Sequence, residues 1–293
     1  MNAQRVALVT DSCADIPDSL IKKYDIHVIP LRLLFSDSEF EDGVSITAKE
    51  VYRRLPSELP KTSLPSAERI ENTFQEIRRK GYEKAIAINF SSGLSGTSNM
   101  VRLLGEQCVG LEVASFDTLS GSLGTGMTVI QAARWLEEGR SFVEVCRALP
   151  ALMRGTTVFF CIDTLEYLQK GGRIGLITSF AGTLLNIKPI ISFAPSGELV
   201  NVAKVRGRKL AMQKMVEMAS ALLPEGEAFN LAVAHGDSPA ELKEIRALAR
   251  KAMPGYSSFF EGEIDGTLGV YTGPHLLGVG VQLLPEGLFA API

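Results

Sequence analysis

Four short apolar runs, RVALVT (5–10), IHVIPLRLLF (26–35), KAIAINF (84–90) and LEVASF (111–116), alternate with amphipathic stretches in the first half of the chain. Near-continuous apolar runs of this length suit strands covered on both faces, as in a parallel sheet. The stretches between them carry helix start signals. Thr47-Ala-Lys-Glu50 and Ser141-Phe-Val-Glu144 fit the capping box, and Asp15 precedes Ile16-Pro17-Asp18. Ser66 opens a helix that runs to about Arg79 and stops at Gly81. Strand–helix–strand succession with right-handed crossovers predicts a doubly wound parallel sheet.

The second half is organised differently. TVFFCI (157–162) reads as a strand, Asp163-Thr164 as a cap, and the residues through Leu168 as a short helix. Strands at 188–194 and 199–205 flank Pro195-Ser196-Gly197-Glu198, which predicts a hairpin and therefore a mixed or antiparallel sheet. A helix over about 208–222, a strand FNLAVAH (229–235), a helix from Pro239 and a strand YSSFFEGEI (256–264) follow. The fold class is two α/β domains, 1–154 with a parallel sheet and 155–293 with a mixed sheet, divided near Arg154-Gly155.

A chain of 293 residues, 46% hydrophobic, has material for two such cores. The net charge of −3 gives no basic footprint for nucleic acid. Cys13, Cys108, Cys146 and Cys161 are scattered without metal-ligand spacing, which reads as four buried, reduced thiols and no metal. The N-terminus enters a strand directly, with no signal-peptide pattern, so a cytoplasmic location is expected. The most apolar stretch, 175–194, is interrupted by Lys188 and Pro189 and reads as a buried helix running into a strand rather than a membrane span.

Ligands of open α/β sheets sit at the carboxyl ends of the strands. Three polar loops fall there: Thr10-Asp11-Ser12, Ser91 to Thr97, and Asp117-Thr118, with TSLPS (62–66) supplying further hydroxyls. INFSSGLSGTSNM (88–100) offers hydroxyls and glycines without charge, next to a helix start that favours an anion. No P-loop or dinucleotide fingerprint is present, so a nucleotide phosphate is not indicated. Neutral hydroxyls with backbone N–H groups suit a single small carboxylate. The 175–194 segment and LLGVGVQLL (276–284) are candidates to cover an apolar body attached to it. Gly93-Leu94-Ser95-Gly96-Thr97 nearly matches a nucleophile elbow but lacks its last glycine. A hydrolase or acyltransferase using Ser92 or Ser95 would need a base, and His27, His235 and His275 are the only histidines. Ser19-Leu-Ile-Lys22 matches the SxxK pattern by chance, on an amphipathic helix.

VTDSCADIP (9–17), TSLPS (62–66), INFSSGLSGTSNM, LEYLQKGGRIG (165–175), LLNIKPIISFAPSGEL (184–199) and VRGRKLA (205–211) occur in that order. Together they resemble the DegV family of bacterial fatty-acid-binding proteins over nearly the whole chain. The resemblance implies two α/β domains with a lipid tunnel between them, a long-chain fatty acid as ligand, and no cofactor or catalytic residue. It implies a lipid-binding subunit that presents its fatty acid to a separate ATP-binding fatty acid kinase subunit, with transient contact at a membrane surface. A lipid-binding or sensing module without a kinase partner is the other reading within the same family.

Carried over by motif, Thr62 and Ser63 with Ser92, Gly93 and Ser95 would hold the carboxylate. Arg173, in KGGRI, and Arg206, in KVRGRK, would face the partner from outside the lipid pocket, within a stretch made basic by Lys204, Arg208 and Lys209. One departure stands out. The family's GxHTGPG reads Gly269-Val-Tyr271-Thr-Gly-Pro-His275 here, so Tyr271 takes the place of the histidine and His275 that of the last glycine. A phenol can donate to a carboxylate but carries no positive charge, so Tyr271 and His275 are both candidate carboxylate contacts.

Overall fold

The computed structural model describes residues 4–177 and 186–284. The first half runs β1 (Val6–Asp11), α1 (Asp18–Tyr24), β2 (Ile26–Ile29), β3 (Arg32–Leu34), β4 (Glu39–Glu41), α2 (Ala48–Arg54) and β5 (Lys61–Ser63). It continues with α3 (Ala67–Arg79), β6 (Lys84–Asn89), α4 (Thr97–Glu106), β7 (Glu112–Asp117), α5 (Leu123–Glu137) and α6 (Phe142–Arg154). The second half holds β8 (Thr156–Cys161), α7 (Glu166–Lys170), β9 (Ile187–Phe193), β10 (Leu199–Arg206) and α8 (Arg208–Ser220). It ends with β11 (Ala228–Gly236), α9 (Pro239–Ala252), β12 (Ser258–Glu263), α10 (Gly266–Thr272) and β13 (Leu276–Leu284).

A wholly parallel sheet, β2-β1-β6-β7, carries the first half. The second half forms a mixed sheet, β10-β9-β8-β13-β11-β12, in which only β11 and β12 pair in parallel. The β9–β10 hairpin turns where expected, with the Ala194 N–H on the Glu198 carbonyl at 2.8 Å. Thr47, Ser66 and Ser141 cap their helices as read from the sequence, and Ser141 completes a reciprocal box with Glu144.

Four expectations change. The run 26–35 is two strands in different sheets, because Pro30 has no N–H for the ladder and the chain turns there. Its second part, β3, pairs antiparallel with β4 and β5 in a small third sheet. Asp15 does not cap α1: its carboxylate turns away to accept the Asp265 N–H at 2.8 Å. LLGVGVQLL is an interior strand, bonded to β8 on one side and β11 on the other, and of its residues Leu276 lines the cavity described below. Of the cysteines, only Cys13 and Cys161 are buried, and all four are free. The strand part of 175–194 is β9, whereas 178–185, where the helix was expected, lies outside the described residues. No helix among the described residues is long and apolar enough to cross a membrane.

The helix α5 joins the two sheets. Nearly all its residues are buried, and it touches β1 and β6 on one side and β8, β11 and β13 on the other. Leu8, Ile86 and Ile88 of the parallel sheet share one continuous core with Leu123, Met127, Phe160 and Ala232. Burial of each large side chain there contributes about 1.5–3 kcal/mol. A smaller core under the third sheet (Leu33, Val51, Tyr52, Val270) ties α2 to α10. Residues 31–63 and 264–276 are thereby brought to one place beside the junction of the two sheets.

Candidate functional site

At that junction lies a cavity of about 250 Å³. Its body is apolar, formed by Phe90, Leu94, Phe160, Ile191, Phe193 and Leu268 among others. Phe160 and Phe193 meet edge to face with centroids 6.5 Å apart. Polar lining comes from Thr62, Ser63, Ser95, Ser122, Thr267, Tyr271 and Thr272, with Arg173.

These polar groups are linked through their neighbours. The Thr62 hydroxyl hydrogen-bonds the Tyr271 phenol. Arg173 stacks over the Tyr271 ring at 5.1 Å from its centre and donates to the Gly171 carbonyl at 2.9 Å. The Ser95 hydroxyl bonds that of Thr97 at 2.9 Å, in the first turn of α4. Hydroxyls of this kind accept or donate as the ligand requires. An apolar chamber with a neutral hydrogen-bonding side and an exposed guanidinium matches an amphiphile with a small polar head.

The structure brings Thr62, Ser63, Ser95, Tyr271 and Arg173 to the cavity. Ser92, Gly93, His275 and Arg206 lie elsewhere. The Ser92 N–H goes to Asp117 Oδ1 at 3.2 Å and the Gly93 N–H to Ser91 Oγ at 3.1 Å, so neither backbone donor faces the chamber. Gly93 serves a close approach instead: a Cβ there would stand 2.5 Å from the Gly197 carbonyl carbon, in the β9–β10 turn. Ser91 completes that joint by donating to the Gly197 carbonyl at 2.6 Å. His275 is exposed in a left-handed conformation, its N–H on the Gly236 carbonyl at 2.7 Å. Arg206 is exposed at the end of β10, across from Ile187. Arg208 is no free cation either, since it pairs with Glu241 at 2.9 Å and Asp163 at 3.5 Å.

Arg173 was expected outside the lipid pocket, and it is exposed, yet its side chain forms part of the chamber's rim. The neighbouring glycine explains the motif physically. A Cβ at Gly171 would fall 2.3 Å from Tyr271 Cδ1 and 2.5 Å from its Cε1, so the ring takes the space a side chain would fill on this loop.

Arg32 is a residue the sequence pattern gave no means to find. It donates to Ser63 Oγ at 3.0 Å and to the Leu64 carbonyl at 2.8 Å. Only the antiparallel register of β3 on β5 places it opposite Ser63. Two further loops expected at the ligand are closed on themselves. Asp11 accepts from Asn89 Nδ2, Phe90 N–H and Cys13 N–H, and burial still pushes its carboxyl up to about 6. Asp117 accepts from the Ser92 and Leu119 N–H groups.

Two sheets packed on one shared helix, with a chamber that is apolar in its body and hydroxylic on one side, define an α/β protein built around an amphiphilic cavity. The chain belongs to the DegV family, whose model, described as "Uncharacterised protein, DegV family", matches residues 5–283. A DegV domain-containing protein of Clostridium acetobutylicum is 36% identical over 283 residues, spanning 97% of this chain and 100% of the relative. Among solved structures, a fatty-acid-binding DegV family protein from Thermus thermophilus superposes with a TM-score of 0.88 at 29% identity, covering 97% of this chain and 100% of that one. A stearic-acid-binding protein from Eubacterium ventriosum gives a TM-score of 0.87 at 28% identity, covering 95% and 98%.

Proposed function

We propose that this protein binds a long-chain fatty acid, with the acyl chain in the apolar chamber and the carboxylate at Thr62, Ser95 and Tyr271. The observation that carries this is the linked hydroxyl side of an otherwise apolar cavity. The solved relatives described as binding fatty acids support it. Burial of the chain contributes about 0.8 kcal/mol per CH₂, enough for the ligand to survive purification. No cofactor is assigned. The protein acts in the cytoplasm, takes its ligand up in transient contact with a membrane surface, and presents the carboxylate to a separate ATP-binding kinase subunit that forms the acyl phosphate. Arg173, exposed beside Tyr271, is the residue best placed to meet that subunit.

Mass spectrometry of organic extracts from the never-delipidated protein tests the ligand. A stoichiometric fatty acid is expected, and a folded protein free of lipid would overturn it. Pull-down with the kinase subunit separates a presenter from a sensing module. The hydrolase reading lacks a base at the cavity: His235 Nδ1 accepts the Ser238 N–H at 3.1 Å, His27 packs on Tyr82, and His275 is exposed and does not line the chamber. Labelling by a fluorophosphonate at Ser92 or Ser95 would revive it.

A further inference from the structure

The helix α10 supplies Thr267, Leu268, Tyr271 and Thr272 to the chamber wall, and three aspartates hold its start. Asp265 caps it, Oδ1 accepting the Leu268 N–H at 2.9 Å. Asp42 accepts the N–H groups of Gly266 and Thr267 at 3.1 and 3.0 Å and the Thr267 hydroxyl at 2.6 Å. Asp15 reaches from the turn after β1 to the Asp265 N–H. Both oxygens of Asp42 are thus satisfied, whereas Asp15 and Asp265 each keep a buried Oδ2 with no donor.

The surroundings supply no counter-charge. Asp11 and Cys13 face the pair from β1 and its turn, Asp42 from the loop after β4, Tyr52 from α2, and Ser122 from the start of α5. Asp18 of α1 and Glu263 of β12 line the same cleft, and its described lining contains no lysine, arginine or histidine. Two buried carboxylates whose charged neighbours are all acids, and whose backbone N–H donors reach only the Oδ1 of each, cannot both stay ionised without cost, and a retained proton supplies the missing donor.

We propose that Asp15 and Asp265 hold a proton between them and act as positioning residues for α10, so that loss of this proton loosens the helix and draws Tyr271 from the ligand's carboxylate. Burial pushes Asp15 up to about 7, near neutrality, and pushes Asp265 well above the usual carboxylate range. The functional half of the inference rests on the fatty-acid reading. Its proton half does not.

The experiment uses the full chain, delipidated and labelled with [γ-¹³C]aspartate, with carboxyl shifts followed by NMR from pH ~5 to ~9. In parallel the dissociation constant for cis-parinaric acid is measured over pH ~6 to ~8.5, a window in which an ordinary carboxylate stays ionised. The affinity of the wild type is expected to fall about fivefold across that window, and that of Asp265→Asn by less than about twofold. Asparagine keeps the cap and brings a permanent donor, so this variant is expected to fold. Titration of both Asp15 and Asp265 below pH ~5 with binding intact overturns the proton. An unchanged pH profile in Asp265→Asn overturns the coupling. No binding of cis-parinaric acid at any pH overturns the ligand reading and the coupling with it, while the carboxyl titration still decides the proton.

Discussion

Thr62 and Tyr271 meet hydroxyl to hydroxyl although 209 positions separate them in the chain. The contact joins β5, in the small third sheet, to α10, and it closes one side of the chamber. Because the Tyr271 ring also lies under Arg173, a single side chain connects the neutral hydroxyls to the exposed cation.

Tyr271→Phe removes that phenol and keeps the ring on Gly171. One hydrogen bond of this kind is worth about 1 kcal/mol, so affinity for a fatty acid is expected to drop about fivefold. Fluorescent fatty-acid titration measures it. Unchanged affinity would take the phenol out of the carboxylate site.

Gly171→Ala acts on the same ring from below. The new methyl would stand 2.3 Å from Tyr271 Cδ1, and the ring cannot yield without leaving Thr62. Overpacking of this sort costs about 1–3 kcal/mol. A lower urea midpoint is expected, together with a larger loss of affinity than in Tyr271→Phe. An alanine variant with wild-type values of both would show that the ring does not need this seat.

The parallel sheet was legible because the buried strands β1 and β6 leave near-continuous apolar runs, and the half-buried edge strand β7 keeps enough of the same pattern. The hairpin was legible in Pro195-Ser196-Gly197. What escaped has equally local causes. Pro30 splits an apolar run whose halves belong to different sheets, and hydrophobicity alone does not record which sheet a strand joins. In LLGVGVQLL, composition does not say that the run is an interior strand of which Leu276 faces the cavity. Arg32 acquires its place only through the register of β3 against β5. Among the hydroxyls of SSGLSGT, nothing in the order of residues says which turn towards the cavity.

Stability carries the mark of the buried acids. Asp11, pushed up to about 6, and Asp15, up to about 7, bind protons in the folded chain that the unfolded chain has released. Folded carboxyls raised in this way make stability fall as pH rises from about 4 to about 7, after which their contribution is constant. Asp15→Asn removes one such group, so its stability relative to wild type is expected to improve over that interval by on the order of 1 kcal/mol per pH unit. Urea midpoints of both proteins at stepped pH give the comparison. A difference that shrinks or stays flat would mean that Asp15 is ionised in the folded chain.

Arg173→Ala separates holding from handing over. The guanidinium is exposed, and its stacking on Tyr271 contributes about 0.5–1 kcal/mol at such a site, so fatty-acid affinity is expected to fall no more than about fivefold. Under the proposed presenting role, acyl-phosphate formation with a kinase subunit is expected to be lost. Transfer at the wild-type rate would move the partner's footprint away from this rim.

Ser92 and Ser95 sit in one loop and look interchangeable in sequence, but their surroundings differ. Ser95 lines the chamber with its hydroxyl on Thr97, whereas Ser92 is exposed and its N–H is held by Asp117. Ser95→Ala is expected to weaken fatty-acid binding about fivefold, the value of one hydrogen bond, and Ser92→Ala by less than about twofold. Gly93→Ala should act through stability rather than affinity. Its methyl would meet the Gly197 carbonyl carbon at 2.5 Å and the Glu198 nitrogen at 2.8 Å, and both belong to a backbone turn that has nowhere to move. Titration and urea unfolding of the three variants therefore sort the loop into a part that touches the ligand and a part that fastens the β9–β10 turn. If Ser92→Ala proves the more damaging to affinity, the loop must turn over when the ligand enters, and the carboxylate is held by a face that the present geometry points at Asp117.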